Sequence, residues 1–202
     1  MLAVFELGSF RDVVIRLTQL LDTAGVQGAL IGGLAAAAYA DGRKTNDVDL
    51  VVGLPDEDIE RFLDLAADLG FDRRLPDAAE FARQARVLLL QDRQTGTPVD
   101  IGLAGLAFEL EAIESAGPLG PGLGRVIRPE DLIVMKAVAG RPKDILDIEA
   151  VLRARPSVDL PRIRALLREF ASVLEDDNCV RVLAEAVRTS QRYLSPHRRD
   201  EG

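Results

Sequence analysis

Ala29-Leu-Ile-Gly-Gly-Leu-Ala-Ala-Ala-Ala-Tyr-Ala-Asp-Gly-Arg-Lys-Thr-Asn-Asp-Val-Asp-Leu-Val-Val52 is the stretch from which the fold can be read. Residues 29–31 are an apolar run that reads as a strand. Gly32 and Gly33 close it, and residues 34–40 then read as one short helix. A glycine pair at that junction lets backbone N–H groups approach a phosphate with no Cβ in the way, and a helix start adds positive partial charge. Asp41-Gly42 stops the helix, and residues 47–52 return to an extended run. Side chains two apart on a strand share a face, which predicts that Asp47 and Asp49 point together with Cα atoms about 6–7 Å apart. Carboxylates so placed can converge on divalent ions. Magnesium suits hard oxygen ligands and a polyphosphate, with manganese as the alternative.

Carboxylate-x-carboxylate spacing is not special in so acidic a chain. It recurs at Asp56/Asp58 and Glu109/Glu111, where solvated helix faces account for it. Asp47 and Asp49 differ because they interrupt apolar company in a strand, where an uncompensated buried carboxylate costs several kcal/mol. A third acid follows downstream. Residues 86–91 and 97–102 are two extended runs joined by Asp92-Arg-Gln-Thr-Gly96, a hairpin loop. Asp100 is the one charge in the second run. If its strand lies beside that of Asp47 and Asp49, it completes a three-carboxylate cluster as general base or further metal ligand; otherwise it is a surface aspartate on a half-exposed strand.

A second informative segment is Arg128-Pro-Glu-Asp-Leu-Ile-Val-Met-Lys-Ala-Val-Ala-Gly-Arg-Pro-Lys-Asp-Ile-Leu-Asp147. Proline and two acids open a helix whose continuation is apolar except for Lys136. An ammonium there either pairs a carboxylate or reaches a ligand phosphate. Asp144 and Asp147, sharing a face of the next helix at i, i+3, are the supporting carboxylates in range. The chain's three lysines, Lys44, Lys136 and Lys143, all fall inside the two segments.

Gly32-Gly33, Asp47-Val-Asp49 and Val99-Asp-Ile101 together resemble the signature of the nucleotidyltransferase superfamily, the DNA polymerase β-like fold. Arg43-x-Thr45-x-Asp47-x-Asp49-Leu50 and the segment around Lys136 resemble, more narrowly, the AbiEii/AbiGii-type toxin nucleotidyltransferases. The resemblance implies Mg-dependent transfer of a nucleoside monophosphate from a nucleoside triphosphate to a hydroxyl. In that scheme Asp47, Asp49 and Asp100 are the catalytic and metal residues. Gly32, Gly33, Arg43, Thr45 and Lys136 are nucleotide-binding. It also implies an acceptor that is an RNA end, a protein or a small molecule, and an antitoxin protein as partner. The alternatives are a non-catalytic nucleotide-binding protein of a toxin–antitoxin pair, or an antibiotic-modifying nucleotidyltransferase.

Bulk properties narrow the field. A net charge of −8 over 202 residues, with no basic run, disfavours duplex DNA. The N-terminus lacks a basic n-region and no apolar run approaches the roughly 20 residues of a membrane helix, so a cytoplasmic protein is expected. Cys179 and His197 are single, which excludes an intrachain disulfide and makes histidine catalysis a poor fit. Apolar periodicity predicts a helix capped by Ser9 and another over 56–69. Helices at 106–116, 130–139, 143–153, 160–174 and 179–194 follow, with 117–124 a loop. The expected fold is α+β: a nucleotidyltransferase-like mixed sheet flanked by helices over 1–127, with a C-terminal helical region over 128–202.

Overall fold

The computed structural model describes residues 10–40 and 45–194. The chain divides into two compact units, Met1–Ala38 with Lys44–Arg128, and Tyr39–Arg43 with Pro129–Gly202.

The first unit is a seven-stranded mixed sheet of order β3-β4-β5-β2-β1-β7-β6. Its strands are β1 (Gly28–Leu30), β2 (Val48–Val52), β3 (Phe71–Arg73), β4 (Val87–Asp92), β5 (Pro98–Leu103), β6 (Gly117–Pro118) and β7 (Arg125–Val126). β2 runs parallel to β5, while β1–β2, β3–β4 and β4–β5 are antiparallel. Its helices are α1 (Arg11–Ala24), α2 (Gly32–Tyr39), which runs to the edge of the unit, α3 (Ile59–Asp68), α4 (Ala78–Ala85) and α5 (Ala107–Glu114). β5 alternates half-buried Pro98, Asp100 and Gly102 with buried Val99, Ile101 and Leu103, the period of a strand with one core face. Leu30, Leu50, Ile101 and Leu88 lie along successive strands of that core face. Val14, Leu17 and Leu21 of α1 line a small cavity together with Leu30 and Leu50, so α1 covers this side. Each apolar side chain buried there contributes roughly 1.5–3 kcal/mol. Asp49 and Asp100, one residue out of phase with Leu50 and Ile101, emerge on the opposite face.

Several boundaries depart from the sequence expectation. β2 starts at Val48 and leaves Asp47 in a bend, because the Thr45 hydroxyl donates to the Asp47 carboxylate and offers that turn a local bond in place of a ladder bond. Residues 56–58 form a 3-10 turn before α3. β3 and α4 were not expected. β3 has three residues, and α4 turns only alanines inward, Ala78, Ala79 and Ala82, so neither carries a strong apolar period. The glycine-rich loop contains β6, paired with β7. α1 begins after Phe10, which makes no side-chain cap; Ser9 lies outside the described residues.

The second unit holds α6 (Pro129–Ala139), α7 (Pro142–Ala154), α8 (Leu160–Leu174) and α9 (Asn178–Leu194). α6 packs on the other three, and Leu132, Ile133, Val134, Ile148, Val151 and Ile163 form its dry centre. Asp159 caps α8, accepting from the Arg162 N–H at 2.9 Å. Among the described residues no helix is long and apolar enough to cross a membrane.

Candidate active site

Asp49 on β2 and Asp100 on β5 are register partners in the parallel ladder, so both carboxylates leave the same face from adjacent strands about 4.8 Å apart. Asp100 thus lies beside Asp49, while Asp47 precedes the strand. On the other side of β2, the Ile31 N–H donates to the Asp49 carbonyl at 2.9 Å, which ties the end of β1 to the same rung. The chain then turns through Gly32, the first residue of α2, at φ +64°. A Cβ on Gly32 would sit 2.6 Å from Cγ and 2.8 Å from Cβ of Asp49. Glycine is thus demanded twice, by a left-handed backbone and by the Asp49 side chain lying against it. Gly33, the next residue of α2, is buried. The first N–H groups of a helix have no intrahelical acceptor, so the start of α2 offers donors beside Asp49.

Asp47 turns to Thr45, whose hydroxyl donates to its carboxylate at 2.5 Å and to its carbonyl at 3.3 Å. Arg43 lies outside the described residues. Among the described residues no three His, Cys, Asp or Glu side chains come together as a metal site. Asp49 and Asp100 share a rung, while the Asp47 carboxylate, just before β2, accepts from its neighbour Thr45. Like charges facing each other across a ladder, as Asp49 and Asp100 do, are destabilising.

The donor for Asp100 is Arg74, whose Nη2 lies 2.8 Å from Oδ1. Arg74 follows β3, and its N–H donates to the Leu89 carbonyl at 3.0 Å. Leu89 is in turn the β4 register partner of Asp100. A single line across the sheet thus runs from Arg74 through Leu89, Asp100 and Asp49 to Ile31 and Gly32. The sequence singles out nothing about Arg74, because an arginine after an unrecognised three-residue strand carries no periodic signal.

In the second unit, Lys136 is buried and donates to Asp147 at 2.6 Å and Asp144 at 3.3 Å. Asp144 also accepts from Arg141 Nε at 2.6 Å. Of the two roles left open for Lys136, the carboxylate pair is the one formed here. Burial pushes the Asp144 carboxyl upward, but the Arg141 hydrogen bond and the charges of Lys136 and Arg141 outweigh it and hold the group below its ordinary value.

No protein-family model matches the sequence, and no curated protein matches it. Solved structures do. The antibiotic-resistance factor ANT(2'')-Ia in solution superposes with a TM-score of 0.56 at 20% identity, covering 83% of this chain and 96% of that one. Its crystal form with adenylyl-2''-tobramycin gives 0.58 at 18%, covering 83% and 99%. An antigenic nucleotidyltransferase-like protein from Paracoccidioides brasiliensis gives 0.53 at 16%, covering 88% and 94%. The fold is nucleotidyltransferase-like. Within the nucleotidyltransferase-like fold, this chain's own residues supply the Asp49–Asp100 rung and the Gly32 turn against it.

Proposed function

We propose that the protein transfers a nucleoside monophosphate from a nucleoside triphosphate to a hydroxyl acceptor. The observation that carries this reading is the in-register Asp49–Asp100 pair with Gly32 against Asp49, on the sheet face opposite α1. Paired hard-oxygen carboxylates beside a backbone stripped of Cβ fit a magnesium or manganese ion with its polyphosphate. Asp49 and Asp100, with Asp47, are assigned to hold that ion, which when bound polarises the α-phosphate and neutralises charge on the oxygens.

The chain's own part is positioning and proton handling. Gly32, Gly33 and the start of α2 receive phosphate oxygens through backbone N–H groups, and Thr45 and Arg43 are assigned to the same phosphates. The acceptor hydroxyl gives its proton to the Asp100 carboxylate as its oxygen bonds to the α-phosphorus. The bond from that phosphorus to the bridging oxygen breaks in line, and pyrophosphate leaves. Arg74 balances the charge of Asp100 in the absence of a ligand. Lys136, already satisfied by Asp144 and Asp147, is assigned to hold α6 against α7.

For the acceptor, likeness to ANT(2'')-Ia over nearly all of that chain favours a small-molecule hydroxyl of the kind that tobramycin presents. A toxin-type role with an RNA or protein acceptor and an antitoxin partner rests on the two sequence motifs. Incubating the protein with each α-labelled nucleoside triphosphate, Mg²⁺ and either a cell extract or a panel of aminoglycosides separates them. Label should enter a small-molecule fraction. Label in RNA or protein transfers the assignment to the toxin-type branch, and no label with any triphosphate removes the transferase reading.

A further inference from the structure

α8 and α9 enclose a cleft of about 280 Å³ whose floor is Leu167, Leu183 and Val187 and whose rim is Arg164, Arg168 and Arg188. None of these three arginines makes an ion pair or hydrogen bond among the described residues. Four other arginines of the second unit are paired: Arg141 with Asp144, Arg153 with Glu149, Arg162 with Asp131, and Arg181 with Asp176 and Asp177. In a chain with 33 acidic and 25 basic residues, three unpartnered guanidinium groups around one apolar floor mark a surface shaped for an acidic, apolar occupant.

The first unit carries a face of that chemistry. Leu106 and Leu110, one turn apart at the start of α5, are 52% and 51% exposed, far more than the leucines of the core. Ala107, Leu110, Glu111 and Glu114 follow the i, i+3, i+4, i+7 spacing of one helix face, and all are exposed. Glu109 is used locally, accepting from the Gly105 and Leu106 N–H groups to start the helix, whereas the carboxylates of Glu111 and Glu114 make no hydrogen bond or ion pair with a described residue, only their backbone carbonyls accepting from Ser115 and Arg125. Two exposed leucines flanked by two unpaired glutamates complement an apolar floor rimmed by unpaired arginines.

We infer that the α8–α9 cleft receives the α5 face of a second copy of this chain, with Leu110 on the Leu167–Leu183 floor and Glu111 and Glu114 against the arginine rim. The inference is independent of the transfer chemistry. One copy gives α5 and the next gives the cleft, so the contact is head-to-tail and can propagate until it closes a ring. A single short helix covers less than the ~1,600 Å² of a standard stable interface, which makes the association weak and concentration-dependent. The charges on both sides make it weaken as salt shortens the Debye length.

Sedimentation velocity over a concentration series at low salt tests this with the full chain. Wild type should associate. Arg168→Glu and Glu111→Arg should each weaken self-association at least about tenfold, as expected for reversing a charge at a complementary contact. An equimolar mixture of the two variants should associate again, because each retains the half that the other has lost. Arg188→Glu and Glu114→Arg form a second pair should either first variant unfold, which a thermal melt detects. Wild type that stays monomeric throughout overturns the inference, as does a mixture that fails to associate. Sensitivity to the cleft substitution alone also overturns it, since the cleft would then take a different acidic segment.

Discussion

Asp49 and Asp100 occupy the same rung of β2 and β5, two parallel strands far apart in the chain, and Gly32 packs against the first of them. A like-charged pair at a ladder position disfavours the fold by up to about 1 kcal/mol, and structure retained around such a cost points to a use for it. Asp49→Asn removes the repulsion and one carboxylate of the proposed metal site. Turnover should fall by a factor on the order of 10³, while the melting temperature stays level or rises. Labelled-nucleotide transfer and a thermal melt on the same preparation check both.

Gly32→Ala should act through Asp49. The new methyl meets the carboxylate, and an alanine at φ +64° is strained by about 1–3 kcal/mol. Loss of Mn²⁺ binding, followed by paramagnetic resonance, should exceed what the stability loss explains. A variant that binds Mn²⁺ as wild type does would separate the turn from the site.

Arg74→Gln should free Asp100 from its resident cation. The expected result is Mn²⁺ binding tighter by several-fold, with little change in the melting temperature because the pair is partly exposed and such pairs contribute about 0–1 kcal/mol. Weaker Mn²⁺ binding in this variant would show that Arg74 supports the loaded site rather than standing in for the ion.

Lys136→Met leaves Asp144 and Asp147 buried with less compensation. Removing one partner of a buried ion pair costs about 3–5 kcal/mol, a drop on the order of 10 °C for a chain of this size. Lys136→Met combined with Asp147→Asn should recover part of that loss. A variant that melts like wild type but binds triphosphate poorly would return Lys136 to a phosphate role.

Acid should destabilise the protein through Asp144 and Asp92. Burial raises the Asp92 carboxyl, but hydrogen bonds from Thr95 and the nearby Arg16 more than reverse it, and Asp144 behaves alike. Both are therefore held below their unfolded values. Such groups contribute stability that is fully present above the ordinary carboxylate value of about 4 and is lost as pH falls through the lower folded values. Denaturant melts should show stability falling below about pH 4, and Asp92→Asn should flatten that slope.

The chain's own pattern determined the secondary elements wherever an apolar period was long. The strand, glycine pair, short helix and strand of residues 29–52, the hairpin over 86–102 and the four C-terminal helices are all legible, because burying one face imposes a repeat of 2 or 3.6 residues. The acids on β2 and β5 were visible for the same reason, as charges breaking an apolar rhythm. Tertiary structure alone decided which residues meet. Strand order and register set Asp100 beside Asp49, and a three-residue strand with no periodic signal brought Arg74 to Asp100. Two helices packing in one unit gave Lys136 its carboxylates. Spacing along a chain fixes which face a side chain leaves from, but the partner across a sheet or between helices comes from residues dozens of positions away, and only packing selects it.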